Sequence, residues 1–174
     1  DGDKCGQYFI HWLKKLKKKK IQLVAHNLKY DFSFIWEYIF CLAPIISGNR
    51  LIGGSGRIYI DKVKFIEVVF QDSYNLISCK LSDFGDMFEL DQRKEFMPYS
   101  VYTEKNISYK GITLKRVYQA KEFKTQEDKD LFYNNCVEWE CIYMNDNKEY
   151  IDIVKYSKRY CQIDCVVLKG GYEK

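Results

Sequence analysis

Apolar positions recur along this chain in two rhythms, and the switches between them predict its elements. From Gly6 to Leu16, the residues Phe9, Trp12, Leu13 and Leu16 fall at helical spacing and predict an amphipathic helix with one face on the core. Ile21 to Ala25 is a short continuous apolar run that reads as a buried strand, whereas Phe32 to Leu42 is long and apolar enough for a buried helix. Pro44 and Ser47-Gly48-Asn49 predict a break. Arg50 to Gln71 then reads as a β meander, with strands over Ile58–Val63 and Lys64–Phe70 and Gly53-Gly54-Ser55-Gly56 as its turn.

Further along, a helix is predicted over Leu81–Phe88, capped by Ser78 or Ser82. Lys94 to Tyr99 is a loop, because the residue before Pro98 is biased away from helix. Tyr102 to Phe123 is polar with scattered tyrosines and reads as irregular with short strand pieces. Thr125 and Asp128 form a capping box with Asp in place of Glu, opening a helix to about Met144. In the last helix, Glu149 to about Leu168, the residues Ile153, Val154, Tyr156, Tyr160, Ile163, Val166 and Val167 recur near a 3.6 period, and Gly170-Gly171 supplies a stop.

Composition narrows the function classes. With 174 residues of which 47% are apolar, the chain fits one domain with a real core and is not a disordered segment. Its net charge of +4 permits an anionic partner without requiring one. The run Lys14, Lys15 and Lys17–Lys20 is a solvated helix end on the plain reading and a phosphate-binding patch on the sharper one. No run of 18 apolar residues occurs and no secretory signal pattern is visible, so no membrane span is expected. The seven cysteines are odd in number and scattered through apolar segments, as reduced thiols of an intracellular protein would be. Zinc is disfavoured, since neither a CxxC nor an HxxxH pair is present. The glycine cluster lacks the Lys-Ser/Thr of a phosphate loop and does not open a helix.

Two stretches carry chemistry. Asp31 falls at the junction of the predicted strand and the predicted helix after it; taken alone, an Asp there is an ordinary N-cap, and on the sharper reading a catalytic carboxylate. Tyr160 and Asp164 are four residues apart on the last helix and share a face, so a phenol and a carboxylate can address one substrate. Carboxylates from separate elements are what a two-metal nuclease uses to hold divalent cations, with a tyrosine to orient the attacking water.

These residues carry a resemblance. His26-Asn27-Leu28-Lys29-Tyr30-Asp31 resembles the second exonuclease motif of the protein-primed branch of family B DNA polymerases, and Tyr160-Cys161-Gln162-Ile163-Asp164 resembles the third. Between them, in family order, Asp72-Ser73 resembles the segment whose Ser contacts single-stranded DNA, and Lys94 with Tyr99 resembles the branch's lysine and tyrosine loop. The family usually has Leu after that Ser, where this chain has Tyr74.

The resemblance implies an α/β, ribonuclease-H-like 3′-5′ exonuclease fold with a mixed sheet flanked by helices. It implies that Asp31 and Asp164 are metal-linked carboxylates for two Mg²⁺ or Mn²⁺ ions, that Tyr160 positions the water, and that Lys94 stabilises charge at the scissile phosphate. Asn27, Tyr30, Ser73 and Tyr99 would hold the 3′ end of a single strand. The implied partners are a primer-template DNA, dNTPs for the whole polymerase and a terminal protein as primer. The family's opening Asp-x-Glu motif has no counterpart, because Asp1-Gly2-Asp3 has no apolar strand around it. The expectation is therefore an exonuclease domain over residues 1–174 that is incomplete at its N-terminus and inactive alone, with the first motif upstream and the polymerase domain downstream. Two other readings stay open: an autonomous nuclease of the same fold, and a single-strand binding module without catalysis.

Overall fold

Alternate side chains of the segment Phe65–Asp72 turn inward, and Ile66, Val68 and Phe70 are all but fully buried. This strand is the centre of the first of two compact units, Asp1–Lys80 and Leu81–Lys174, in a computed structural model that describes residues 4–107 and 111–174. Taken in order, the first unit contains α1 (Cys5–Lys15), β1 (Lys20–Ala25), α2 (Leu28–Phe32), β2 (Phe40–Ser47), β3 (Arg50–Tyr59) and β4 (Phe65–Asp72). Its sheet has the order β1-β4-β3-β2 and is mixed: β1 lies parallel to β4, while β3 is antiparallel to both β4 and β2. Ile10 and Leu13 of α1 and Leu28 and Phe32 of α2 close the core against Ile58, Ile66, Val68 and Phe70.

The second unit holds α3 (Phe84–Met87), α4 (Glu104–Ile107), β5 (Ile112–Thr113), α5 (Leu114–Val117), α6 (Gln126–Glu138), β6 (Ile142–Asn145), β7 (Lys148–Ile151) and α7 (Ile153–Tyr172). Its small antiparallel sheet has the order β5-β7-β6. Among the described residues no helix is long and apolar enough to cross a membrane.

Several expectations are corrected. The helix over Phe32–Leu42 does not form: α2 ends at Phe32, a 3₁₀ turn covers Trp36–Tyr38, and Phe40–Ser47 is an edge strand pairing with β3. Its apolar residues satisfy either period over so short a run, and the pairing with β3 decides between them. The glycine cluster is not a turn but the middle of β3. A Cβ on Gly54, at φ +152°, would lie 2.6 Å from the Phe70 ring, and one on Gly56 would lie 2.3 Å from Ile39. Glycine is what allows the sheet to close there. The turns lie at Ser47–Arg50 and at Ile60–Lys64, where the Asp61 carboxylate accepts from the Val63 and Lys64 amides at 2.8 Å each.

Neither Ser78, near the end of the first unit, nor Ser82, at the start of the second, caps a helix; their hydroxyls bond Tyr74 O and Asp83 Oδ1. The Thr125–Asp128 capping box forms as read, but α6 stops at Glu138 and its expected tail becomes β6. Glu149 lies in β7, and α7 starts after Asp152, whose carboxylate accepts from the Val154 and Lys155 amides at 3.1 and 2.9 Å. Gly170-Gly171 does not end α7. Gly171 lies inside it, where a Cβ would come within 2.3 Å of the Phe84 ring.

The face that α1 buries also differs from expectation. Gly6, Ile10 and Leu13 point inward, while Phe9, Trp12 and Leu16 are exposed. Gly6 sets this rotation: a Cβ there would meet the Phe34 carbonyl oxygen at 1.8 Å. Gly6→Ala is accordingly expected to destabilise the protein by about 1–3 kcal/mol, the usual cost of overpacking. A urea melt in which the variant matches the parent midpoint would show that α1 is free to shift.

Candidate functional site

In the first unit the parallel register sets Ala25 beside Asp72, so the segments leaving β1 and β4 emerge together. Asp72 continues the buried alternation of β4 and is 2% exposed. Its Oδ1 accepts from the Asn27 amide at 2.9 Å and the Tyr74 amide at 3.0 Å, and its Oδ2 lies 3.8 Å from the Arg50 guanidinium. Asn27 takes up a left-handed conformation (φ 70°, ψ 55°) at the entry to α2, which Asn tolerates better than most residues. His26 Nδ1 and Ser73 Oγ are 3.0 Å apart, and Ser73 Oγ donates to the Ala25 carbonyl at 3.2 Å.

Asp31 is then the fourth residue of α2 and does not cap it, since Asn27 occupies the N-cap position. Its side chain reaches the surface, yet the protein packed beside the carboxyl raises its pKa above the ordinary value, with the Asp72 charge adding a smaller push in the same direction. Tyr30 is exposed and meets Phe34 edge-on. Ser73, read from sequence as a strand contact, is fully buried with its hydroxyl occupied by His26 and Ala25.

In the second unit Lys94, Tyr99, Tyr160 and Asp164 converge. Lys94 Nζ is 3.5 Å from Asp164 Oδ2 and 5.7 Å from the centre of the Tyr160 ring. The Tyr99 and Tyr160 hydroxyls share a 2.8 Å hydrogen bond. The loop that brings Lys94 and Tyr99 to α7 is tied down at its middle. Asn135 Nδ2 donates to Glu95 Oε2 at 2.8 Å, the Tyr156 hydroxyl donates to the Phe96 carbonyl at 2.5 Å, and the Phe96 ring stacks on Phe123. Three anchors in succession leave Lys94 little freedom to leave Asp164, which is the preorganisation a charged site needs.

Burial pushes the Tyr160 phenol far up, helped by the hydrogen bond with Tyr99 and the Asp164 charge, so this hydroxyl keeps its proton. Burial also raises the Asp164 carboxyl, against which the Lys94 charge pulls down. Among the described residues the second oxygen, Asp164 Oδ1, is buried with no hydrogen-bond partner within close geometry. Leaving a buried carboxylate oxygen unpaired is costly, and the neighbouring Tyr160 hydroxyl acts on Asp164 as a donor that lowers its pKa. Among the described residues no three His, Cys, Asp or Glu side chains gather to hold a metal ion. Asp31 and Asp164 are therefore not members of a protein cage among these residues; Mg²⁺ is commonly bound through one or two carboxylates, with phosphate oxygens and water completing its shell.

Reading from sequence gave no site role to Asp72, His26 or Tyr156, which it quoted only within motifs or as part of a periodic face, and overlooked Arg50 and Asn135. For Asp72 a signal was present, since the period-two alternation of Ile66, Val68 and Phe70 puts it on the core face. No sequence signal marks Asn135, and the helical period marks Tyr156 only as inward-facing; their partners lie 40 and 60 residues away.

The Lys94–Asp164 pair gives a measurable pH effect. Between the ordinary carboxyl value of 3.8 and the raised value, the folded chain keeps a proton on Asp164 that the unfolded chain has lost. The contribution of this group to stability therefore falls as pH rises through that window. Carboxyl NMR of the metal-free protein should place the Asp164 midpoint above 3.8. Lys94→Met should move it further up, and an unchanged or lower midpoint would mean that the ion pair does not exist in solution.

Comparison with known proteins follows the same residues. No match is found among curated proteins or among solved structures. The family described as DNA polymerase type B, organellar and viral, matches over residues 13–170, a span that takes in both the Asp31 and the Asp164 segments. Matched over nearly its whole length, the chain belongs to the organellar and viral type B DNA polymerases.

Proposed function

We propose that this chain is part of the 3′-5′ exonuclease domain of such a polymerase, which trims the 3′ end of single-stranded DNA by metal-assisted phosphodiester hydrolysis. The observation that carries this reading is the cluster of Lys94, Tyr99, Tyr160 and Asp164: a cation, two linked phenols and a carboxylate with one oxygen buried and unpaired.

In this reading Asp164 and Asp31 each offer a carboxylate to a divalent cation. When bound, Mg²⁺ or Mn²⁺ supplies charge neutralisation at the phosphate and acidifies water at neutral pH. Tyr160, held by Tyr99 and with its phenol pKa raised by burial, orients water through its hydroxyl. Lys94, 3.5 Å from the Asp164 carboxylate, would stabilise negative charge growing on the scissile phosphate. Asn27, Tyr30 and Tyr99 hold the terminal nucleotides, Tyr30 through its exposed ring. Ser73, the fourth residue of this set, has its hydroxyl bonded to His26 and to the Ala25 carbonyl. Protein priming, and with it a terminal protein, belongs to this reading only through the resemblance of the motifs to the protein-primed branch.

In the protein that carries this chain, Asp31→Ala and Asp164→Ala should each abolish trimming of a labelled single-stranded oligonucleotide while nucleotide addition continues. Trimming that survives either change sinks the assignment. Tyr160→Phe should be milder, because only the orienting hydroxyl is lost. Lys94→Ala should slow trimming by about 10²-fold or more, as expected for loss of one charge-stabilising group, and a rate within a few-fold of the parent removes Lys94 from the site.

A further inference from the structure

Near its N-terminus, from Lys4 to Tyr30, this protein carries basic charge with no acidic residue interspersed. Of its 28 Lys and Arg, eight lie between Lys4 and Tyr30, a stretch with no Asp or Glu, whereas the remaining 20 face all 24 acidic residues elsewhere. Helix α1 ends where Lys17 takes a left-handed turn (φ 53°), which swings Lys17, Lys18 and Lys19 out as an exposed corner before β1. Among the described residues none of Lys15, Lys17, Lys18 and Lys19 forms an ion pair. Glu67, opposite Lys20 in the β1–β4 register, forms none with it either.

Beside this corner α1 presents aromatic rings outward. Tyr8 and Trp12 are 62% and 53% exposed and stand one helical turn apart, with Lys15 on the next turn of the same face. Phe9 lies 5.7 Å from the Trp12 ring and braces it. Rings spaced along an exposed ridge with unpaired cations alongside are the two parts of a sequence-tolerant single-strand binding surface: bases stack and phosphates meet lysines.

We infer that the outer face of α1 and the Lys17–Lys19 corner form a second single-stranded DNA subsite, separate from the Asp31 end of the sheet. β1 runs from Lys20 to Ala25 between the two, about 17 Å at strand rise. That distance suits a subsite holding nucleotides a few positions away from the 3′ terminus. The inference rests on the exonuclease reading only for the identity of the anion as a DNA strand.

Fluorescence anisotropy with a labelled single-stranded oligonucleotide, read at several salt concentrations, tests it. Replacing Lys15, Lys17, Lys18 and Lys19 together by Gln should weaken binding at least tenfold and flatten the slope of log affinity against log salt by about 0.7 per lysine. Trp12→Ala should cost about tenfold with the salt slope unchanged, as loss of one stacked base would. Parental affinity and slope in the lysine variant overturn the proposal. So does equal binding of a blunt duplex that ignores Trp12, which would mark a general polyanion surface, and so does retention by phosphatidylserine vesicles with no oligonucleotide binding. Trimming at saturating DNA should persist in both variants. Lysine-dependent binding in a protein that shows no trimming would support this surface while sinking the exonuclease reading.

Discussion

Asp72 ends the central strand of the first unit with a buried carboxylate, and the chemically useful end of that unit depends on it. Its Oδ1 takes the amides of both Asn27 and Tyr74, so one oxygen fastens the segment leaving β1 to the segment leaving β4. Without it two backbone donors would be left unpaired in a buried place, at a cost of roughly 1–3 kcal/mol each. The left-handed turn at Asn27 would also lose its support, and Tyr30 and Asp31 follow directly from that turn. The parallel pairing of β1 with β4 is the precondition, because only that register puts Ala25 level with Asp72.

The second unit solves a similar problem by another means. Lys94 and Tyr99 come from an irregular loop, and a loop has no ladder of its own to hold side chains in place. Side chains from α6 and α7 replace that ladder: Asn135 holds Glu95, and Tyr156 holds the Phe96 carbonyl. Lys94 then faces a carboxylate on the same helix that anchors its loop. A mobile segment thereby acquires the geometry of a rigid one, and the protonated Tyr160 and half-satisfied Asp164 lie together beneath it.

Glycine has opposite meanings in different parts of this chain. Gly53-Gly54-Ser55-Gly56 looks like a turn in sequence, yet these residues pack β3 tightly against Phe70 and Ile39. Gly171 looks like a helix stop and instead lets α7 lie against Phe84. Gly6 rotates α1 so that its small face meets the Phe34 backbone, which leaves Trp12 outside. In each case a missing Cβ allows an approach whose partner is remote in the chain, and local reading has no access to that partner.

What the sequence by itself determined is local: the β1 run, the Thr125–Asp128 cap, the i,i+4 pairing of Tyr160 with Asp164 and the motif order that places the chain among type B DNA polymerases. Each of these depends on neighbours within a few residues or on a pattern of spacing. Tertiary structure alone decided that Phe40–Ser47 is a strand, because an apolar run of that length satisfies either period until β3 offers it hydrogen bonds. It alone decided that Asp31 is not a cap, that Ser73 is buried and that Asp72 joins two segments. Those outcomes turn on which backbone amides reach which carboxylate across 45 residues of chain, a question settled by the pairing of strands and not by propensity.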